Sequence, residues 1–175
     1  MDDSEWAGFT AFVRATLPAL GAFARALTGD RDDAQDLVQD TLVRLARAWR
    51  TVEQASNPQA YAKTTMVRLH VTGLRRIQRW RRWMPVEAAS RRDGPDPAID
   101  RIVERDGLQA ALRDLPPSQR AVLVLTYFDD DDDVTIGQVL RRTPGAIRVL
   151  RHRALGRLRA ALASSEAAEA IREQL

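Results

Sequence analysis

Apolar residues recur every three or four positions along most of the chain, which is the spacing of one face of an α-helix. The pattern is best developed between residues 34 and 49, at Ala34, Leu37, Val38, Leu42, Leu45 and Trp49. No stretch of useful length alternates between apolar and polar residues as a half-buried strand does. The pattern therefore predicts an all-α protein.

In the first half of the chain the pattern predicts three helices, over residues 5–27, 31–50 and 58–80. Pro18 is expected to kink the first helix. Asp30 and Asn57 precede the second and third helices as N-caps, and Pro58 occupies the favoured first helical position. These helices are expected to form one bundle.

A segment rich in proline and glycine, Met84–Ala98, interrupts the helical pattern and is typical of a flexible linker. Beyond it the pattern predicts helices over 99–115, 118–128 and 134–140, and a long helix from Pro144. The helix over 118–128 should be the most buried of these, because its residues 121–125 are all apolar. We therefore expect two small helical bundles, with a first domain over 1–83, a linker over 84–98, a second domain over 99–163 and a tail over 164–175.

Charge is strongly segregated, although the net charge of the chain is only +3. Residues 58–83 and 141–159 each carry seven cations and no acid, whereas residues 30–40 carry five aspartates and one arginine. Two concentrated basic segments favour a polyanionic partner such as nucleic acid. Because Lys63 is the only lysine, part of the arginine excess could instead reflect genomic base composition.

The second basic segment has the features of a helix-turn-helix. Ile147, Leu150 and Leu158 keep the helical spacing and predict a core-facing stripe, while Arg148, Arg151 and His152 project from another face. A short helix and a tight turn precede it. This order favours a recognition helix for the DNA major groove, and the alternative is a solvated basic helix.

Five consecutive aspartates, Asp129–Asp133, precede this motif and admit three interpretations. A calcium loop fits poorly, because its sixth position would be Val134 and its twelfth Leu140. The run could mimic nucleic acid and mask the basic helix. The favoured interpretation is a solvated loop whose last carboxylates stabilise the start of the next helix.

Two further helix faces suggest binding functions. The 58–83 helix mixes cations with Tyr61, Trp80 and Trp83, which is typical of proteins that stack aromatic rings on exposed bases. Asp33, Asp36 and Asp40 form an acidic stripe on the second helix that suits a basic protein partner. For each face, ordinary core packing or solvation is the competing explanation.

The composition argues against several other classes. The chain has no cysteine and only two histidines, His70 and His152, which lie in different halves, so we predict no enzyme activity, no metal and no cofactor. The N-terminal residues lack a signal-peptide pattern, and no apolar run approaches the roughly 18 residues of a membrane helix. We expect a cytoplasmic protein with no membrane partner and no small-molecule substrate.

The ordered segments DDAQDLVQDTLVRLARAW, NPQAYAKTTMVRLH, LPPSQRAVLVLTYF and RTPGAIRVLRHRALGRLR resemble the extracytoplasmic-function sigma factors of bacterial RNA polymerase. The resemblance covers about residues 8–162. It implies that the chain directs the polymerase to specific promoters, with core polymerase and promoter DNA as partners. An anti-sigma factor is a further partner by resemblance only.

The resemblance also implies three groups of binding residues. Core polymerase would contact Asp33, Asp36, Leu37, Gln39, Asp40 and Arg44. The −10 element would contact Tyr61, Lys63, Arg68, Arg75, Arg76, Arg79 and Trp80. The −35 element would contact Thr143, Pro144, Gly145, Ala146, Arg148, Val149, Arg151 and His152.

Three positions depart from the family pattern, which usually has asparagine at Arg68, leucine near Asp131 and glycine at Arg141. If the turn is left-handed at Arg141, a residue other than glycine costs on the order of 1 kcal/mol. The alternative function is a stand-alone helix-turn-helix regulator, which would need neither the acidic stripe nor the first basic helix. A nuclease is a more distant alternative.

Overall fold

The computed structural model describes the backbone of residues 2–81 and 106–172, and the side chains of residues 2–73 and 108–163. This part of the chain is helical and contains no strand, which confirms the predicted fold class. Its helices are α1 (Asp3–Thr28), α2 (Arg31–Arg47), α3 (Trp49–Glu53), α4 (Pro58–Arg81), α5 (Asp106–Arg113), α6 (Pro117–Phe128), α7 (Asp133–Leu140) and α8 (Pro144–Arg172). The predicted linker lies outside the described residues.

The predicted starts of the second and third helices are confirmed by their caps, whereas the first helix begins at Asp3, before the predicted Glu5. The Asp30 carboxylate accepts from the backbone N–H groups of Asp32 and Asp33, and the Asn57 side chain accepts from Ala60 N at 3.0 Å. The predicted end of the second helix is wrong. It ends at Arg47, because Ala48 leaves the helical conformation with φ −115° and ψ 21°, and Trp49 starts α3.

In the second half α6 is the most buried element, as predicted, with every residue from 121 to 125 buried. The helix predicted over 99–115 is described only from Asp106 onwards. Asp132 is the N-cap of α7 and accepts from Thr135 N at 2.7 Å. Thr143 caps α8, whose backbone continues through most of the predicted tail.

The main hydrophobic core includes residues from both halves. Phe23 and Leu27 of α1 pack in the same cluster as Val122 and Leu125 of α6 and Ile147 of α8. α1 and α4 contact α6, and α4 also contacts α7. The two helical halves therefore pack directly against each other.

Of the helices that the structure describes, α1 is the one long and apolar enough to cross a membrane by length and composition. Core helices and signal sequences meet the same criterion. The buried side chains of α1, which include Leu20, Phe23 and Leu27, belong to the core.

Candidate nucleic-acid interface

The turn between α7 and α8 is tight and depends on two backbone positions. A Cβ atom at Gly137 would lie 2.6 Å from the carbonyl oxygen of Arg142, so only glycine fits there without a backbone shift. Arg141 is left-handed with φ 54°, which confirms the strained turn expected from the sequence. The N–H groups of Arg141 and Arg142 both donate to the Gly137 carbonyl.

This turn fixes the first two turns of α8 on the surface. Ile147 and Ala154 are fully buried and Leu150 packs against the core, while Arg148, Val149 and His152 are exposed. Of the residues predicted to contact the −35 element, Thr143, Pro144, Gly145, Arg148, Val149 and His152 are exposed, and Ala146 and Arg151 are partly exposed. The structure therefore places this whole predicted group on one accessible helix start.

Asp133 at the start of α7 lies against the two arginines of this surface. Its Oδ2 is 3.3 Å from Arg148 Nε, and its Oδ1 is 2.7 Å from Arg151 Nη1. The Arg151 contact is a charge pair without the alignment of a hydrogen bond. Sequence reasoning missed both contacts, because helix spacing does not reveal which residues of α7 and α8 meet.

The residues predicted to contact the −10 element are only partly described. Tyr61, Lys63 and Arg68 lie on α4, whereas the side chains of Arg75, Arg76, Arg79 and Trp80 are outside the described residues. Tyr61 is 38% exposed, which argues against its being a simple core residue. Lys63 and Arg68 both bind the second half of the chain.

Lys63 crosses between the halves to form an ion pair with Asp129, and its ammonium lies 5.2 Å from the centre of the Phe23 ring. Arg68 donates from Nε to the Val139 carbonyl at 3.1 Å and from Nη2 to the Gln138 carbonyl at 3.2 Å. These are carbonyls at the C-terminal end of α7, where backbone acceptors lack helical partners. Two side chains predicted to bind DNA are thus occupied by the same chain.

A cleft of about 650 Å³ lies between α2 and α4 beside Arg68. It is lined by Arg44, Leu45, Arg47, Ala48, Tyr61, Thr65, Arg68, Leu69 and Thr72. Its walls therefore carry the guanidinium groups of Arg44, Arg47 and Arg68 beside the ring of Tyr61. The cleft joins the predicted polymerase face to the predicted −10 face.

The acidic stripe of α2 is accessible. Asp33, Asp36, Gln39, Asp40 and Arg44 are all exposed. Leu37, the remaining member of the predicted polymerase group, is 8% exposed and belongs to the hydrophobic core. Partial burial, followed by the neighbouring charges of Asp30, Asp36 and Asp32, raises the pKa of Asp33.

Sequence reasoning also missed the arginines that join the two halves. Arg120 is 6% exposed and donates to the carbonyls of Leu27, Thr28, Arg113 and Leu115. Arg113 donates to the Gly29 carbonyl at 3.1 Å and 2.7 Å. Both arginines therefore bind the carbonyl end of α1, where the helix dipole favours cations. A single arginine directly before the apolar run 121–125 was the available signal.

Comparisons with known proteins agree with this arrangement. Residues 12–81 match the family model for sigma-70 region 2, and residues 111–160 match the model for sigma-70 region 4. The chain is 30% identical over 162 residues to the RNA polymerase sigma-E factor of Streptomyces coelicolor, covering 90% of this chain and 88% of the relative. The chain belongs to the extracytoplasmic-function sigma factors.

Other relatives of this sigma factor extend the similarity. It is 30% identical over 174 residues to the ECF RNA polymerase sigma factor SigE of Mycolicibacterium smegmatis, covering 96% of this chain and 67% of that protein. A solved structure of the sigma factor RpoE of Bartonella quintana, in complex with the anti-sigma factor NepR, matches with a TM-score of 0.67. That match has 25% identity and covers 89% of this chain and 96% of RpoE.

As a sigma factor, the chain directs bacterial RNA polymerase to specific promoters and initiates transcription. The stand-alone regulator has less support, because the match includes the first half, which that function would not need. The −10 and −35 surfaces are therefore the parts of the molecule where promoter contacts are to be sought.

Proposed function

We propose that the acidic stripe of α2 binds core RNA polymerase, through Asp33, Asp36, Gln39, Asp40 and Arg44. The stripe is exposed over more than two helical turns while Ala34, Leu37 and Val38 face the core. Aspartate carboxylates cannot bind DNA phosphates, but they complement a basic protein surface. The proposed polymerase-binding domain spans residues 1–83.

We propose further that the start of α8 binds the −35 element in the major groove. The observation that carries this proposal is the exposed row of Arg148, Val149 and His152, which stands opposite the buried Ile147 and Ala154. The proposed −35 domain spans 99–163, after a linker over 84–98 and before a tail over 164–175. Its arginines can contact guanine edges or phosphates.

The −10 element would bind α4, through Tyr61, Lys63 and Arg68 among the described side chains. Arg68 offers five donors and a full charge where an asparagine would offer a donor and an acceptor. We therefore expect charge-driven contacts with the opened strand at this position. Sequence places Arg75, Arg76, Arg79 and Trp80 on the same helix.

The remaining assignments follow from family membership. We propose that the protein is not an enzyme, needs no cofactor and acts in the cytoplasm. An anti-sigma factor is a proposed partner, because the similar RpoE protein was solved with the anti-sigma factor NepR.

The polymerase face can be tested by reversing its charge. Asp36→Arg combined with Asp40→Arg should weaken binding to core polymerase by about tenfold or more, because contacts with cations become repulsive. Asp3→Arg combined with Asp114→Arg is a matched control, since both residues are exposed and the charge change is the same. Equal core affinities of the two double variants, measured by pull-down, would contradict the assignment.

A further inference from the structure

The aspartate segment (Asp129–Asp133) is divided into residues with different partners. Asp132 caps α7, whereas Asp129 pairs with Lys63 and Asp133 pairs with Arg148 and Arg151. Asp130 is exposed and, among the side chains that the structure describes, has no ion-pair partner. Asp132 therefore fits the favoured interpretation, in which the last carboxylates stabilise the start of the next helix, whereas Asp129 and Asp133 have cationic partners.

The cations that this segment binds are those proposed to contact DNA. Lys63 belongs to the −10 group, and Arg148 and Arg151 belong to the −35 group. The Lys63 and Asp129 side chains are 21% and 16% exposed, so solvent and salt screen this pair less than a surface pair. One short loop therefore supplies counter-ions to both proposed DNA surfaces.

A third cation proposed to contact DNA is also held within the chain, but by backbone carbonyls instead of the aspartate segment. Arg68 of the −10 group donates to two carbonyls at the end of α7, within the second half. Arg68 and Lys63 lie on α4 and face the second half together. While these interactions persist, the Arg68 guanidinium and the Lys63 ammonium do not have all their donors available for a DNA phosphate.

We propose that the aspartate segment is an internal competitor of promoter DNA, which holds the free chain in an autoinhibited state. Carboxylates at Asp129 and Asp133 occupy the donors that DNA phosphates or base edges would accept from. Binding to core polymerase and promoter would exchange these carboxylates for DNA and separate α4 from α7. This inference rests on the proposed −10 and −35 surfaces.

Asp133 could instead position the two arginines for DNA, and the two roles have opposite consequences. A competitor lowers the affinity for DNA, so its removal strengthens binding. A positioning group raises the affinity, so its removal weakens binding. The side chain of Arg148 is 70% exposed, which leaves it free to exchange one anion for another.

The experiment compares Asp129→Asn and Asp133→Asn with the control Asp130→Asn in the full-length chain. All three variants lose one negative charge, and asparagine tolerates the left-handed conformation of Asp130, at φ 52°. The probes are a mixed-sequence 30-base-pair duplex and a 20-nucleotide single strand. Circular dichroism melting checks that each variant is folded.

Asp133→Asn should bind the duplex roughly two- to fivefold more tightly than Asp130→Asn does, as expected for releasing an exposed ion pair. Asp129→Asn should bind the single strand more tightly by the same factor. The slope of log affinity against log salt should steepen by about 0.9 for each further phosphate that is neutralised on the duplex, and by about 0.7 on the single strand. Equal affinities of all three variants, or weaker binding by Asp133→Asn, would overturn the proposal.

Arg148→Ala combined with Arg151→Ala separates this inference from the proposed −35 surface. If that variant loses duplex binding while the aspartate variants bind unchanged, the competitor role of the aspartate segment is overturned and the proposed −35 surface still stands. Unchanged duplex binding in the arginine variant would instead remove the −35 surface on which the inference rests.

Discussion

The two helices that we propose bind DNA, α4 and α8, differ in the partners of their cations. The start of α8 is exposed, and its Arg148 and Arg151 pair with Asp133 of the neighbouring helix in the same half. On α4, by contrast, Lys63 and Arg68 bind residues of the other half. The proposed −35 residues are thus accessible at the start of α8. Of the proposed −10 side chains that the structure describes, Tyr61 is exposed, whereas Lys63 and Arg68 are held by the second half.

The largest expected effect comes from breaking the Arg120 junction between α6 and the end of α1. Arg120→Ala leaves up to four buried carbonyls without their donor, which should lower the free energy of unfolding by about 3 kcal/mol. Arg120→Lys is the matched control, because it keeps the charge but lacks the planar fork. It should recover only part of the loss in urea unfolding. An unchanged free energy of unfolding in Arg120→Ala would show that the hydrogen bonds of Arg120 contribute little to the stability of the chain.

The second-largest loss of stability should come from disturbing the tight turn between α7 and α8. Gly137→Ala places a Cβ atom 2.6 Å from the Arg142 carbonyl, and the resulting backbone shift should cost about 2 to 3 kcal/mol. Duplex binding should fall with it, since the turn sets the position of α8. Gly145→Ala is the control, because nothing lies within 4 Å of a Cβ at that position. Similar melting temperatures of the two variants would argue against a tight turn.

The pH dependence of stability should report on the packed halves through His70. Burial, and then the positive charge of Arg120, lower the pKa of His70 from 6.5 to about 4. The unfolded chain therefore binds the proton more readily between these values, so stability is present above pH 6.5 and is lost as the pH falls towards 4. From pH 7 to pH 5 the loss should be about 2 kcal/mol.

The control for this effect is His70→Leu, which removes the titrating group from the buried site. The difference in unfolding free energy between pH 7 and pH 5 should be about 2 kcal/mol smaller in this variant. The same pH difference in both proteins would mean that His70 is solvated and that the halves do not enclose it.

The smallest expected effect concerns the strained turn before α8. Arg141→Gly should stabilise the chain by about 0.5 to 1 kcal/mol, because the left-handed cost is larger than the added entropy of the unfolded glycine. Arg142→Gly should instead destabilise it, since that residue does not have a positive φ. Thermal unfolding of the two variants measures the difference. A loss of stability in Arg141→Gly would contradict the assigned strain.

Sequence alone predicted most of the elements, since helical spacing and the caps at Asp30, Asn57 and Thr143 are local features. It predicted the exposed α8 face for the same reason. The helical spacing also put Leu37 on the apolar face of α2, where it is buried, and only the family resemblance named it as a polymerase contact. The Arg120 junction and the Lys63–Asp129 pair were beyond its reach, because they join residues 66 or more positions apart in sequence.

The most direct test measures the separation of α4 from α7. The chain has no cysteine, so cysteines at the exposed positions Thr72 and Gln138 can carry a unique pair of spin labels. Labels at Thr135 and Arg153 provide a control distance within the second half. The distances would be measured in the free chain and in a transcribing complex with core polymerase and promoter DNA. We predict a short Thr72–Gln138 distance in the free chain, a longer one in the complex and an unchanged control distance. The same short distance in the transcribing complex would contradict the account.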